Sequence, residues 1–211
     1  MIKGVIFDLD GVIADAQWMH AKAQSMILKR FGVEISPDEI TRRYAGVASR
    51  IIFSENIKNQ DYVLEDLYEE KKKIVDKLVA DVKPIEGAIE LIKRLHKEGY
   101  KLGVASSPDN KYVNGTLEKL GVTNYFITIV SGDQVSKKKP SPDIFLKAVE
   151  NLDLKPSECV VIEDAPAGML GAINGGMKCI GIVEEINENY PTKNIIKSMK
   201  DITIDYLNNI K

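Results

Sequence analysis

The stretch "FDLDGVIAD", Phe7 to Asp15, decides how this chain is read. Ile2, Val5, Ile6 and Phe7 lead into it as nearly continuous apolar residues, the pattern of a strand covered on both faces. Such a strand has no use of its own for two carboxylates one residue apart followed at once by glycine. Asp8 and Asp10 leave the strand on the same side, and two like charges that close raise one pKa or call in a cation. The stretch therefore points to a cation and to chemistry at the end of a buried strand.

Outward from that strand the chain changes rhythm twice. From about residue 17 to residue 80 it carries helix signals and no convincing strand. "AQWMHAKAQSMILKRFG" is periodic and stops at Gly32. Ser36-Pro37-Asp38-Glu39 supplies an N-cap, a proline at the first helical position and a glutamate at the third. "DYVLEDLYEEKKKIVDKLVAD" is a further long amphipathic run. From Pro84 helices alternate with the strands "KLGVAS", "YFITIV", "CVVIE" and "KCIGIV". Alternation of this kind implies crossovers and a parallel sheet, which the first strand has to join. The expected class is α/β, a parallel-sheet core of residues 1–14 and 84–211 with a helical domain of residues 15–83 inserted after the first strand. Its two chain crossings form an expected hinge on which the insert opens and closes. In the tail, "DITI" followed by "DYLNNI" reads as a last short strand and helix.

The 211 residues carry 29 Lys and Arg against 31 Asp and Glu, so the near-balanced charge of −2 argues against a nucleic-acid partner. No apolar run approaches the ~20 residues that span a bilayer, and the start lacks a signal-peptide pattern, so no membrane partner and a cytoplasmic location are expected. Cys159 and Cys179 lie in apolar strand-like runs, where buried reduced thiols are expected. No motif speaks to oligomeric state.

In an open parallel sheet, ligands bind beyond the carboxyl ends of the strands. The first strand is followed by Asp8 and Asp10, "KLGVAS" by Ser106-Ser107, and "CVVIE" by Glu163-Asp164. Lys139 lies in the loop after "YFITIV". Several carboxylate oxygens suit Mg²⁺, and hydroxyls with a lysine suit phosphoryl oxygens. Taken singly, each is an ordinary helix cap, loop carboxylate or surface lysine. Taken together at one sheet edge they fit phosphoryl transfer. With no His or Cys in the cluster the nucleophile is a carboxylate, Asp8 or Asp10, and the other is free to act as acid and base.

"FDLDGVIAD", "VASS", "KKKPSPDIF" and "VIEDAPAGMLGAINGGM" resemble, in order, the four motifs of the haloacid dehalogenase-like phosphotransferases, over nearly the whole chain. The helical insert resembles the small cap of the subgroup containing beta-phosphoglucomutase and many sugar-phosphate and phosphoglycolate phosphatases. The resemblance implies a Rossmann-like core in which Asp8 forms an aspartyl-phosphate and Asp10 protonates the leaving alcohol, then activates the acceptor. It implies that Ser106, Ser107 and Lys139 hold the phosphoryl group. Mg²⁺ would be bound by Asp8, the backbone carbonyl of Asp10 and Asp164, with Glu163 contributing directly or through water. His20, Gly46 and Arg50 are the implied substrate contacts of the cap.

Carbon-centre dehalogenases resemble the pattern without the second aspartate, which leaves hydrolase or mutase. "YAGVASRIIF", Tyr44 to Phe53, carries an extra residue before Arg50 relative to the mutase segment, and Ala16 stands where threonine or serine is common at the hinge. The first departure favours a Mg²⁺-dependent phosphatase of small phosphorylated metabolites, with a beta-phosphoglucomutase as the alternative. A receiver-type phospho-signalling module also carries acids, a hydroxyl and a lysine. The nucleophile after the first strand and the helical interruption disfavour it.

Overall fold

The computed structural model describes residues 1–44, 47, 49–58, 61–186 and 189–210. The first strand, β1 (Gly4–Phe7), is buried along its whole length. A two-residue strand, β2 (Ala14–Asp15), follows the acidic turn. Four helices come next: α1 (Gln17–Arg30), α2 (Pro37–Arg43), α3 (Ser49–Asn56) and α4 (Leu64–Leu78). The chain continues through β3 (Lys83–Pro84), α5 (Ala88–Lys97), β4 (Lys101–Ser106), α6 (Asn110–Lys119), β5 (Thr128–Ser131) and α7 (Asp143–Asn151). It ends with β6 (Cys159–Glu163), α8 (Pro166–Asn174), β7 (Lys178–Ile182), β8 (Ile195–Ile196) and α9 (Ile204–Asn209).

The strands form one six-stranded sheet in the order β5-β4-β1-β6-β7-β8, with every neighbouring pair parallel. The order reverses at β1: the chain builds outward through β4 and β5 on one side, then returns to lay β6 on the other. That reversal opens a crevice beyond the carboxyl end of β1, where ligands bind in sheets of this kind. Phe7 pairs with Val104 of β4 and Ile162 of β6, so all three strands end at nearly the same level. Beneath them Ile6, Val161, Phe145, Ala148 and Met169 belong to one buried cluster, which makes the strand ends a rigid platform. Cys159 and Cys179 are buried and reduced there, and burial pushes their thiols up to about 11 and about 12, so neither is a nucleophile at neutral pH.

The chain divides into two compact units, Ala16–Val82 and Met1–Asp15 with Lys83–Lys211. Both crossings pass through a two-stranded ribbon in which Ala14 lies opposite Pro84 and Asp15 opposite Lys83. Within the helical unit, Ile27 and Leu28 of α1 share a core with Ile40, Ile52, Phe53 and Leu67. Ser36 caps α2 by accepting from the Glu39 N–H at 3.2 Å. Among the described residues no helix is long and apolar enough to cross a membrane.

The tail departs from its sequence reading. The expected strand in "DITI" is a 3₁₀ turn and a connecting loop, and the last strand is β8, upstream of it. The physical reason is capping: Thr203 accepts from the Tyr206 N–H at 3.0 Å and starts α9, so its hydroxyl serves a helix end rather than a strand face.

Candidate active site

Asp8 follows β1 directly and is 6 % exposed, and its N–H donates to the Ile162 carbonyl at 2.9 Å, so the backbone that carries it is pinned to β6. From the loop after β5, Lys139 reaches over to donate to Asp8 Oδ1 at 2.5 Å and to Glu163 Oε1 at 2.6 Å. Its side chain is only 9 % exposed, and its ammonium lies 4.8 Å from the centroid of the Phe145 ring. Of the run Lys137 to Lys139, the first two are exposed and only the third is drawn inward.

Glu163 ends β6 with both carboxylate oxygens engaged, Oε1 by Lys139 and Oε2 by the Ala165 N–H at 2.8 Å. The next helix makes room for it: a Cβ on Gly168 would stand 1.8 Å from Glu163 Oε1. Asp164 turns the other way. Its Oδ2 sits against Gly11, where a Cβ would stand 2.1 Å from that oxygen, and Gly11 itself has φ +80°. Glycine meets both demands, close approach and a left-handed backbone. Asp8 and Glu163 thus share one ammonium, and Asp164 stands near enough to feel the charges of all three.

That balance sets the electrostatics. Three carboxylates less one ammonium leave an excess of two negative charges when all are ionised. Burial, followed by the neighbouring acids Glu163 and Asp10, pushes Asp8 up to about 7 although Lys139 pulls the other way. Burial and then the charge of Asp8 push Asp164 up to about 8. Burial works against the charge on Lys139, but Asp8 and Glu163 outweigh it and hold the ammonium above its usual range. Carboxylates held this reluctantly fit a bound divalent cation. Among the described residues no group of three or more His, Cys, Asp or Glu side chains is placed to hold a metal ion by itself.

Asp10 stands two residues beyond Asp8 at the half-exposed mouth of the site, on a tight turn in which the Ile13 and Ala14 N–H groups both donate to the Leu9 carbonyl at 2.8 Å. Its Oδ1 accepts from the Tyr112 hydroxyl at 2.9 Å. Tyr112 is a residue that the sequence reading does not single out. Burial, then the charge of Asp10, raise its pKa well above the usual phenol range, so it stays a donor. Ser106 ends β4 fully buried beside Ser131 of β5, and Ser107 turns outward to solvent.

The helical unit carries a cavity of about 630 Å³ lined by Gln17, His20, Tyr44, Arg50 and Lys71 among others. His20 and Arg50 therefore share one concavity, while Gly46 lies outside the described residues. The Arg50 guanidinium pairs with Glu65 at 3.0 Å. In the wall of the cavity, Ser49 Oγ accepts from Gln24 at 2.9 Å and from Lys71 at 2.8 Å, a polar cluster whose members come from three separate helices. No short motif marks it.

A haloacid dehalogenase-like hydrolase family profile matches residues 5–182. A phosphorylated carbohydrates phosphatase of Thermotoga maritima is 30% identical over 194 residues, covering 89% of this chain and 88% of that protein. A beta-phosphoglucomutase of Bacillus subtilis is 30% identical over 219 residues, covering 98% and 94%. Among solved structures, a HAD hydrolase, family IA, variant 3 from Entamoeba histolytica superposes with a TM-score of 0.82 at 29% identity, covering 97% of this chain and 96% of that one.

Proposed function

The chain belongs to the haloacid dehalogenase-like hydrolases, and from that premise we propose that it is a magnesium-dependent phosphatase of small phosphorylated metabolites, sugar phosphates or phosphoglycolate-like monoesters. The observation that carries the proposal is the buried Asp8–Lys139–Glu163 constellation at the end of β1, with Asp10 two residues on. An oxygen of Asp8 attacks phosphorus in line, and the bond to the leaving oxygen breaks as Asp10 delivers its proton there. The acyl phosphate formed on Asp8 is then opened by water, whose proton returns to Asp10 as inorganic phosphate departs and the Asp8 carboxylate is restored. Ser106 and Lys139 hold the phosphoryl oxygens, with Ser107 beside them. Glu163, with both oxygens engaged, is assigned to aiming Lys139. When bound, magnesium held by Asp8, the Asp10 carbonyl and Asp164 supplies positive charge for the transferring phosphoryl group. His20 and Arg50 are assigned to recognition of the part of the substrate that does not react.

A second reading, a beta-phosphoglucomutase, is favoured by the near full-length likeness to a relative of that name. Phosphate release and glucose 6-phosphate formation from beta-glucose 1-phosphate, measured side by side with Mg²⁺, separate the two. Phosphate release from sugar phosphates is expected to dominate; isomer formation without comparable phosphate would overturn the phosphatase reading.

Asp10→Asn tests the assigned proton transfer. With the fold and Mg²⁺ binding retained, turnover of an alkyl phosphate should fall by about 10²–10⁴-fold, the usual contribution of a positioned acid. p-Nitrophenyl phosphate, whose leaving group needs no proton, should lose far less. Equal losses on both would remove Asp10 from this role.

A further inference from the structure

The hydroxyl of Tyr112 contacts the strand-end cluster but has no part in the mechanism above. It is a buried side chain, 5 % exposed, reaching from the first turn of α6 to Asp10 Oδ1 at 2.9 Å. The turn that carries it is tied down from two directions. Asp109 caps α6 by accepting from the Tyr112 N–H at 3.0 Å. The Asn110 N–H donates to Asp133 Oδ1 at 3.2 Å, and that oxygen also takes the Ser131 hydroxyl at 2.5 Å. Beside them the Gly132 N–H donates to the Pro108 carbonyl at 2.8 Å, so the loops after β4 and β5 hold each other. A proton donor works only within hydrogen-bond reach of the atom it serves, so the orientation of its carboxyl matters.

We propose that Tyr112 is a positioning residue for Asp10: its phenol, bound to Oδ1, holds the carboxyl in the orientation from which it exchanges its proton. The proposal rests on the acid–base role given to Asp10 above. Misorientation by a fraction of an ångström is enough to slow a proton transfer, because reacting groups must meet at near-attack geometry. Tyr112→Phe removes one oxygen and leaves the ring to pack.

The experiment compares kcat/KM for an alkyl phosphate and for p-nitrophenyl phosphate in the full-length Mg²⁺-loaded wild type, Tyr112→Phe and Asp10→Asn, with a thermal melt of each. Tyr112→Phe is expected to lose about tenfold more on the alkyl phosphate than on p-nitrophenyl phosphate, the scale of one hydrogen bond to a charged group. A purely structural tyrosine would lower both equally. Should Tyr112→Phe melt below the assay temperature, Asp133→Ala, which loosens the turn from the solvent side, carries the same readout with about a threefold difference expected. Equal losses on the two substrates, with Asp10→Asn still selective, would overturn the positioning role alone. A non-selective Asp10→Asn would overturn the acid–base reading and this inference with it.

Discussion

Asp8→Asn is expected to reduce turnover by about 10⁴–10⁶-fold, the scale of removing the covalent nucleophile proposed above, and at the same time to stabilise the chelator-treated protein above neutral pH. The second half follows from burial. Asp8 is raised from 3.8 to about 7, so the folded chain binds its proton more tightly than the unfolded chain does. The contribution of such a group to stability is complete below about pH 4 and is lost as pH rises through about 7. At pH 8 the ionised carboxylate is therefore a load on the fold that asparagine does not impose. The variant should melt about 3–8 °C higher than wild type at pH 8 in EDTA, equivalent to about 1–3 kcal/mol, and the gap should close toward pH 5. Saturating Mg²⁺ should narrow or reverse it, since the wild type alone keeps every ligand proposed above. If wild type were the more stable at pH 8 in EDTA, the cluster would not be electrostatically strained as described.

Much of this site is legible in the sequence, because its chemistry sits where secondary structure punctuates the chain. Asp8, Ser106 and Glu163 each terminate or directly follow an apolar strand-like run, and parallel strands that start together end together. Ser36, followed by proline and then glutamate, marks a helix start with three local signals at once, and the structure caps it there. Tyr112 carries no such mark: its role depends on where α6 begins, and a tyrosine on an amphipathic helix is by default a core residue. The one local signal is Asp109, an N-cap three residues earlier that fixes which way the first turn faces. The polar cluster of Gln24, Ser49 and Lys71 is hidden for a related reason, since helix packing, not spacing, joins residues from three helices. In the tail, Thr203 reads equally as a β-branched strand residue and as a cap, and only the bond to the Tyr206 N–H decides.

Lys139→Met should lower turnover by about 10³-fold or more, because in the proposed mechanism it takes away a charged donor to the transferring phosphoryl group. It should also turn the site from strained to unstable. The folded pKa of Lys139 is raised, so its contribution is complete below the ordinary lysine value and is lost only as pH climbs through a more alkaline range. Across pH 5–9 the ammonium is a constant. What changes across that window is its partners. Without Lys139, Asp8 and Glu163 face each other as buried carboxylates whose shared ion-pair partner is gone. Removing one member of a buried ion pair costs about 3–5 kcal/mol, or about 6–15 °C in a chain of this size. That full loss is expected at pH 8; at pH 5, where proton uptake by Asp8 relieves the repulsion, the loss should be markedly smaller. Adding Glu163→Gln to Lys139→Met should recover much of the melting temperature at pH 8 and none of the activity, since it removes the stranded charge without restoring a donor to phosphate. Equal destabilisation at pH 5 and pH 8, or a double variant no more stable than the single one, would show that Lys139 supports the fold by packing its chain against Phe145 rather than by balancing the two carboxylates.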